Sequence, residues 1–199
     1  MHRIEYFYSL MSPFTYLAGL GLEQVAASHG AEIIYRPADI ARVFAETGGL
    51  PVPKRHPTRQ EYRLQELKRL SKMHNRPLNM SPKHWPVDAT KASCTVIAAD
   101  AAGGDAGVLN HAFLKACWAE ERDISDDATI ATVLDELGYD PKELSGYMSA
   151  AETQYEENTR LALKKGVFGA PFYIVGEEKF WGQDRLGHLD WHLSQLAAK

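Results

Sequence analysis

The stretch that most constrains the fold is residues 4–17, in which a strand pattern passes into a helix pattern through one serine. Residues 4–8 are β-branched or aromatic with a single charge, which is typical of a strand buried on at least one face. Ser12 suits a helix N-cap, and Pro13 suits the first helical position, where an N–H would have no intrahelical partner. The apolar spacing then predicts one helix that continues until Gly30. Ser12 therefore lies between the carboxyl end of a strand and the amino end of a helix.

This position of Ser12 is compatible with two roles. The free N–H groups and the dipole at the amino end of a helix stabilise negative charge, so a thiolate would be favoured there. A serine at this position is also a common helix cap, and capping alone would account for it. The local pattern leaves both roles open.

A long helical region follows the first elements. A second strand at residues 31–37 makes the chain open as β-α-β. Between residues 39 and 165 no comparable strand pattern occurs, and the proline-rich segments 50–57 and 77–88 are predicted as loops. Helices are expected at residues 40–46, 58–74, 89–103, 105–121, 126–137, 140–150 and 152–165.

Strand character returns near the end of the chain. Residues 171–175 and 179–181 are predicted strands joined by a hairpin turn, and a last helix begins near Gln183 or Asp184. The fold class is therefore α/β, with the order β-α-β, helices, then β-β-α.

Three parts of the chain follow from this order. We expect a first half of the α/β domain at residues 1–38, an all-helical insertion at residues 39–165, and a second half at residues 166–199.

Composition excludes some classes of partner. The 199 residues carry a formal net charge of −4, which argues against nucleic-acid binding through bulk positive charge. The chain has no apolar run of signal-peptide length and none of about 18 residues, so we expect a cytoplasmic protein without a membrane segment. Small molecules or other proteins are the expected partners.

Neither the cysteines nor the histidines indicate a site. Cys94 and Cys117 form no C-x-x-C pair and are expected to be buried structural thiols. His188 and His192 are four residues apart on the last helix, but a zinc site needs three or four ligands and no further cluster is evident. No metal is expected.

Separated motifs carry a resemblance to a known family. Residues 12–16 (S-P-F-T-Y) stand where DsbA-like thioredoxins carry C-P-x-C-Y, so Ser12 and Thr15 replace the redox pair. Residues 166–172 (G-V-F-G-A-P-F) resemble the segment around the cis-proline of that fold. Residues 180–186 (F-W-G-Q-D-R-L) resemble a W-G-x-D-R-L signature. These motifs occur in the same order as in the family.

The chain is similar to the 2-hydroxychromene-2-carboxylate isomerases, which are relatives of the kappa-class glutathione transferases. The resemblance covers nearly the whole chain and includes residues 82–87 (P-K-H-W-P-V) of the insertion. It implies a thioredoxin-like fold of the DsbA and kappa-transferase type, with a large all-helical insertion.

The resemblance also implies that glutathione is the cofactor and supplies the sulfur. A serine cannot perform disulfide exchange, because that reaction needs a thiolate. In this chemistry the Ser12 hydroxyl donates a hydrogen bond to the bound thiolate and lowers the thiol pKa from about 8.5. Ala170 would pair through its backbone with the cysteinyl part of glutathione, or would simply belong to a turn before the strand.

The γ-glutamyl end of glutathione would be held by Trp181, Gly182, Gln183 and Asp184. Asp184 would bind the ammonium group, while the amino end of the last helix would bind the carboxylate. The alternative for Asp184 is a simple helix cap.

The second substrate is expected between the catalytic edge of the sheet and the insertion. Lys54 and Arg55 would bind its carboxylate and Trp85 would stack on its aromatic ring, unless the two basic residues belong to the solvated surface. Related isomerases carry an asparagine close to the Lys54 position and a basic residue near Phe44, and this chain has neither.

The implied reaction interconverts 2-hydroxychromene-2-carboxylate and trans-o-hydroxybenzylidenepyruvate, in aromatic compound catabolism. Glutathione would add reversibly to a conjugated ring-opened form, the bond thereby made single would rotate, and glutathione would leave. Two other functions stay open: a kappa-like glutathione transferase that releases a conjugate, and a non-catalytic glutathione-binding module. The oligomeric state is also open, and a homodimer is one option.

Overall fold

The structure, a computed structural model, describes residues 1–197. Residues 198 and 199, which end the predicted second half 166–199, lie outside the described residues. Among residues 1–197, none of the helices has the length and apolar character that a membrane crossing needs. The elements are β1 (Arg3–Tyr8), α1 (Pro13–Leu17), α2 (Gly21–Ser28), β2 (Glu32–Pro37), α3 (Ile40–Thr47), α4 (Pro57–Met73), α5 (Thr90–Ala101), α6 (Ala106–Trp118), α7 (Asp127–Glu136), α8 (Pro141–Ser145), α9 (Met148–Lys164), β3 (Phe172–Val175), β4 (Glu178–Trp181) and α10 (Leu186–Ala197).

The strands form one mixed sheet in the order β2-β1-β3-β4. β1 is parallel to β2 and antiparallel to β3, and β3 is antiparallel to β4. Gly30, with φ +57°, makes the tight link that returns β2 to the side of β1. The sheet is therefore built from the two ends of the chain, with the helices between them. This confirms the predicted α/β, thioredoxin-like fold.

Helices cover both faces of the sheet because β1 is apolar on both. Ile4, Tyr6 and Tyr8 are buried in a core shared with residues of α2, α5, α6 and α10. Phe7 is buried on the opposite face with residues of α3 and α9, as expected for side chains that alternate along a strand. Burying each such side chain stabilises the fold by about 1.5–3 kcal/mol. The end of β1 next to Ser12 is therefore firmly held.

The single helix predicted from Ser12 to Gly30 is wrong. Two helices, α1 and α2, are separated by a break at residues 18–20. Gly19 has φ +60°, a left-handed conformation that ends α1. The apolar spacing continues across the break, so the pattern alone does not reveal it. Ser12 therefore caps a helix of only five residues.

Three more boundaries differ from the predictions. The helix predicted at 140–150 ends early, as α8, and the helix predicted at 152–165 begins early, as α9. The sequence of α9 contains no glycine or proline that would interrupt it. The last helix does not begin at residue 183 or 184, because Gln183–Arg185 form a 3₁₀ turn and α10 begins at Leu186. The predicted loop 50–57 contains a 3₁₀ turn at Val52–Lys54.

Candidate functional site

Ser12 lies where β1 passes through a short turn into α1. Its Oγ accepts a hydrogen bond from the Thr15 N–H at 3.2 Å, which is the N-cap interaction. The same Oγ donates to the Ala170 carbonyl at 3.2 Å. A hydroxyl can accept and donate at once. Capping by Ser12 therefore leaves its proton available for a second partner.

Ala170 precedes a buried proline, and the Ala170–Pro171 peptide bond is cis. Its carbonyl accepts the Ser12 hydrogen bond, while its own N–H makes no hydrogen bond among residues 1–197. Ala170 is half-buried. Its backbone N–H is therefore available to an extended peptide that lies beside Ser12.

β4 carries Trp181 to the same segment. The Gly182 N–H donates to the Pro171 carbonyl at 2.9 Å. The Trp181 ring packs edge-on against Phe168 at 4.8 Å between centroids, and the residue remains 52% exposed. A Cβ at Gly169 would lie 2.4 Å from Trp181 Nε1. The glycine thus allows the indole to approach the backbone beside Ala170.

Gln183 and Asp184 follow in the 3₁₀ turn. Gly182 has φ +112°, and a Cβ there would lie 2.6 Å from Asp184 Oδ1. Asp184 pairs with Arg185 at 2.6 Å, and the two side chains are 54% and 44% exposed. An exposed pair of this kind contributes about 0–1 kcal/mol, so Asp184 can still bind another cation. The amino end of a long helix is not at this position, because α10 begins two residues later.

Trp85 connects the helical insertion to the backbone next to Ser12. Its Nε1 donates to the Met11 carbonyl at 3.2 Å, and Trp118 Nε1 donates to the Leu10 carbonyl at 2.9 Å. The two indoles lie 5.7 Å apart. Trp85 is half-buried, whereas Trp118 is buried. The insertion therefore holds the backbone that precedes Ser12 and places an aromatic ring beside it.

The two basic residues predicted to bind substrate have different surroundings. Lys54 is exposed, and its side-chain ammonium makes no hydrogen bond or ion pair within the described residues. Arg55 is half-buried, its Nε donates to the Leu50 carbonyl at 2.7 Å, and its guanidinium lies 5.8 Å from the Phe44 ring. Burial, and then the charge of Arg59, lower the pKa of Arg55. Lys54 thus has the environment of a surface residue, whereas Arg55 is a partly desolvated cation.

The amino-acid sequence is similar to a known protein family and to named relatives. The profile of the DSBA-like thioredoxin domain matches residues 3–194. The chain belongs to the DsbA-like thioredoxin family. This DsbA-like protein is 28% identical over 196 residues to a protein of Pseudomonas putida named 2-hydroxychromene-2-carboxylate isomerase, with 97% of this chain and 95% of the relative covered. A protein of the same name from Sphingobium xenophagum is 28% identical over 198 residues, with 96% and 97% covered.

Solved structures agree with the family. A 2-hydroxychromene-2-carboxylate isomerase structure superposes with a TM-score of 0.82 at 28% identity, covering 98% of this chain and 96% of the other. The cytosolic disulfide reductase DsbM from Pseudomonas aeruginosa, in a structure with GSH, has a TM-score of 0.67 at 17% identity and covers 98% of each chain. The second likeness establishes the fold alone.

Disulfide exchange is not available to this DsbA-like chain through thiols of its own. Its two cysteines, Cys94 and Cys117, are buried and unpaired, as predicted. Burial raises the pKa of Cys94 to about 11 and that of Cys117 to about 12. Because the thiolate is the reactive form, neither residue is suited to exchange.

Sequence reasoning missed Arg63, on α4. Its guanidinium lies 5.9 Å from the Trp85 ring, and the residue is half-buried. Arg63 is one of several basic residues on a charged helix, so the sequence gave no reason to single it out. Only the tertiary contact distinguishes it.

Among residues 1–197 no group of three or more histidine, cysteine or acidic side chains is arranged to hold a metal ion.

Proposed function

We propose that the protein is a glutathione-dependent isomerase that interconverts 2-hydroxychromene-2-carboxylate and trans-o-hydroxybenzylidenepyruvate. The observation that carries the proposal is the hydrogen bond between the Ser12 hydroxyl and the Ala170 carbonyl, because it sets a hydroxyl donor beside backbone groups that suit a cysteinyl residue. The relatives that cover nearly the whole chain bear the name of this isomerase. Their name supports the reaction, and the geometry at Ser12 supports the use of a bound thiol.

The residues present fit glutathione. Ala170 has an open N–H next to the Ser12 hydroxyl, which suits the cysteinyl residue of an extended tripeptide. The turn that follows β4 places the carboxylate of Asp184 over Gly182, which suits the ammonium group of the γ-glutamyl residue. Trp181 and Gln183 line the same turn. The site therefore offers polar partners for the cysteinyl and γ-glutamyl residues of the tripeptide.

Glutathione, when bound, supplies a thiolate that adds reversibly to the conjugated system of the substrate. Ser12 keeps its own proton and turns its O–H from the Ala170 carbonyl toward the sulfur, while it continues to accept from Thr15. A hydrogen bond to the charged form of a thiol lowers its pKa. The N–H of Phe14 has no intrahelical acceptor in the first turn of α1 and adds a second positive dipole. No neighbouring base is needed.

Trp85 and Arg55 are proposed to receive the second substrate. The Trp85 ring stands next to the Met11 backbone and offers an apolar surface to an aromatic ring. Arg55 is a partly desolvated cation suited to a carboxylate, and Lys54 adds charge from the surface.

An assay of the purified protein with 2-hydroxychromene-2-carboxylate, with and without reduced glutathione, tests this function. We expect an equilibrium mixture with trans-o-hydroxybenzylidenepyruvate only when glutathione is present, and an unchanged glutathione concentration at the end. Accumulation of a glutathione conjugate would identify a transferase instead. Glutathione binding without turnover would identify a binding module, and turnover without glutathione would contradict the mechanism.

A further inference from the structure

Arg63 lies in the candidate site without a partner of opposite charge. Its guanidinium stands 5.9 Å from the ring of Trp85, and the residue is half-buried. Within residues 1–197 the Arg63 guanidinium makes no hydrogen bond and no ion pair, although a guanidinium has five N–H donors. Arg36 and Arg42, by contrast, each pair with a carboxylate. The donors of Arg63 are therefore left for a group from outside the chain.

Arg55 is a second cation near Arg63, and it increases the local excess of positive charge. Burial, and then the charge of Arg55, lower the pKa of Arg63. Neither arginine has an acidic partner within the described residues. Two partly desolvated guanidinium groups that repel each other are unfavourable in the protein alone and become favourable when an anion binds between or beside them.

Trp85 does not require Arg63 to hold its position. The indole N–H donates to the Met11 carbonyl, and the ring packs against Trp118. Arg63 and Trp85 instead present two kinds of surface side by side: a planar fork of N–H donors and an aromatic ring. A fork of this geometry matches a carboxylate through two parallel hydrogen bonds. Met11, which accepts the Trp85 hydrogen bond, directly precedes Ser12 in the chain.

We infer that Arg63 is a specificity-determining residue that binds the carboxylate of an aromatic carboxylic acid whose ring lies against Trp85. The inference deepens the proposed function, and rests on it for the reaction in which this acid takes part. It does not depend on glutathione for the binding itself. The site therefore prefers an aromatic acid to its uncharged counterpart, and Arg63 contributes to this preference alongside Arg55.

Calorimetric titration with trans-cinnamate and trans-cinnamamide, without glutathione, tests the inference. The two probes share a ring and a conjugated chain and differ in charge. Arg63→Met is expected to weaken cinnamate binding by about tenfold or more and to change cinnamamide binding by less than about twofold. Arg63→Lys keeps the charge without the fork and is expected to fall between wild type and Arg63→Met. In turnover, Arg63→Met is expected to raise KM with little change in kcat.

The matched control is Arg69→Met, on the same helix. Arg69 already pairs with Glu66 and lies over Tyr62, so its loss removes the same net charge without touching Trp85. We expect cinnamate affinity within about twofold of wild type for this variant, since distant surface charge is screened.

Four outcomes would overturn the inference: no preference of the wild type for cinnamate over cinnamamide, unchanged cinnamate binding in Arg63→Met, equal losses for both probes, or an equal loss in Arg69→Met. Failure of the isomerase assay would contradict only the proposed function, because probe binding is measured without turnover.

Discussion

The hydroxyl of Ser12 donates a hydrogen bond to the carbonyl of Ala170, 158 residues away in the sequence, at 3.2 Å. This contact joins the first helix of the β-α-β half to the segment that begins the β-β-α half. The hydroxyl has one proton, so the thiolate of the proposed glutathione ligand would compete for it with the Ala170 carbonyl. In the proposed complex, the Ser12 hydroxyl would give up its hydrogen bond to the Ala170 carbonyl and donate to the ligand instead.

Replacing Gly169 tests the position of Trp181. In Gly169→Ala the new Cβ would lie 2.4 Å from Trp181 Nε1, so the indole must move. Overpacking of this kind costs about 1–3 kcal/mol, and we expect a lower melting temperature together with weaker glutathione binding by calorimetry. Gly187→Ala is the control, because a Cβ there meets nothing within 4 Å and alanine favours the helix by about 0.5–1 kcal/mol. Glutathione affinity equal to wild type in Gly169→Ala would remove Trp181 from the site.

Thermal denaturation tests the role of Asp184. Glutathione at about a hundred times its dissociation constant should stabilise the protein by about 2.7 kcal/mol, whereas cysteinylglycine, which lacks the γ-glutamyl group, should do so far less. Asp184→Asn should reduce the glutathione shift, since it removes the charge proposed to bind the ammonium group. Glu177→Gln, in the exposed β3–β4 turn, is the charge-matched control. Equal shifts with both ligands would argue against this subsite.

Separate replacement of Lys54 and Arg55 distinguishes their roles. Arg55 is partly desolvated, and a charge-assisted contact from it is worth at most about 1.5–3 kcal/mol, so Arg55→Ala should raise KM for carboxylate substrates. Lys54 is exposed, and Lys54→Ala should change KM by less than about twofold. Glutathione affinity should stay the same in both variants. Steady-state kinetics that show no effect of Arg55→Ala would return both residues to the solvated surface, and an equal rise in KM for Lys54→Ala would contradict the difference between them.

Glu23 is expected to make stability depend on acid pH. It accepts hydrogen bonds from Tyr35 at 2.9 Å and from His111 at 2.8 Å. Burial is the largest influence and would raise the pKa of Glu23, but the hydrogen bond and charge of His111, with the Tyr35 hydrogen bond, outweigh it and lower that pKa.

A folded-state pKa below the unfolded value of about 4.3 gives stability that is full above that value and is lost as the pH falls through the folded pKa. Glu23→Gln should therefore lower the free energy of unfolding by about 1–3 kcal/mol near neutral pH and by less in strong acid. Urea denaturation across this pH range measures the difference. A deficit that stays constant with pH would contradict the assigned role of the charge.

The sheet could be predicted because its strands carry strong local signals. β1 alternates buried side chains between two cores, and the β3–β4 hairpin has a glycine turn. The break after α1 could not be predicted, because the apolar spacing of Leu17, Leu20 and Leu22 continues through it. The left-handed conformation of Gly19, which makes the break, is not visible in that spacing. The 3₁₀ turn before α10 similarly depends on the conformation of Gly182.

The candidate site was less accessible to sequence reasoning because it is formed by tertiary contacts. Periodicity indicated Ser12 as a cap, but only the family resemblance singled out Ala170 and the turn after β4. Arg63 was missed because its contact with Trp85 joins a charged helix to a loop. The difference between Lys54 and Arg55 depends on burial, which adjacent positions in a sequence do not reveal.

The pKa of the glutathione thiol bound to wild type, Ser12→Ala and Ser12→Thr tests the central claim most directly. Ultraviolet absorbance of the thiolate during a pH titration measures it. Ser12→Ala loses one donor, so we expect a higher thiol pKa and turnover lower by about tenfold to a thousandfold, with only about 1 kcal/mol of stability lost with the cap. Ser12→Thr keeps the hydroxyl and should retain most of the shift. An unshifted thiol pKa and full turnover in Ser12→Ala would show that Ser12 is only a helix cap.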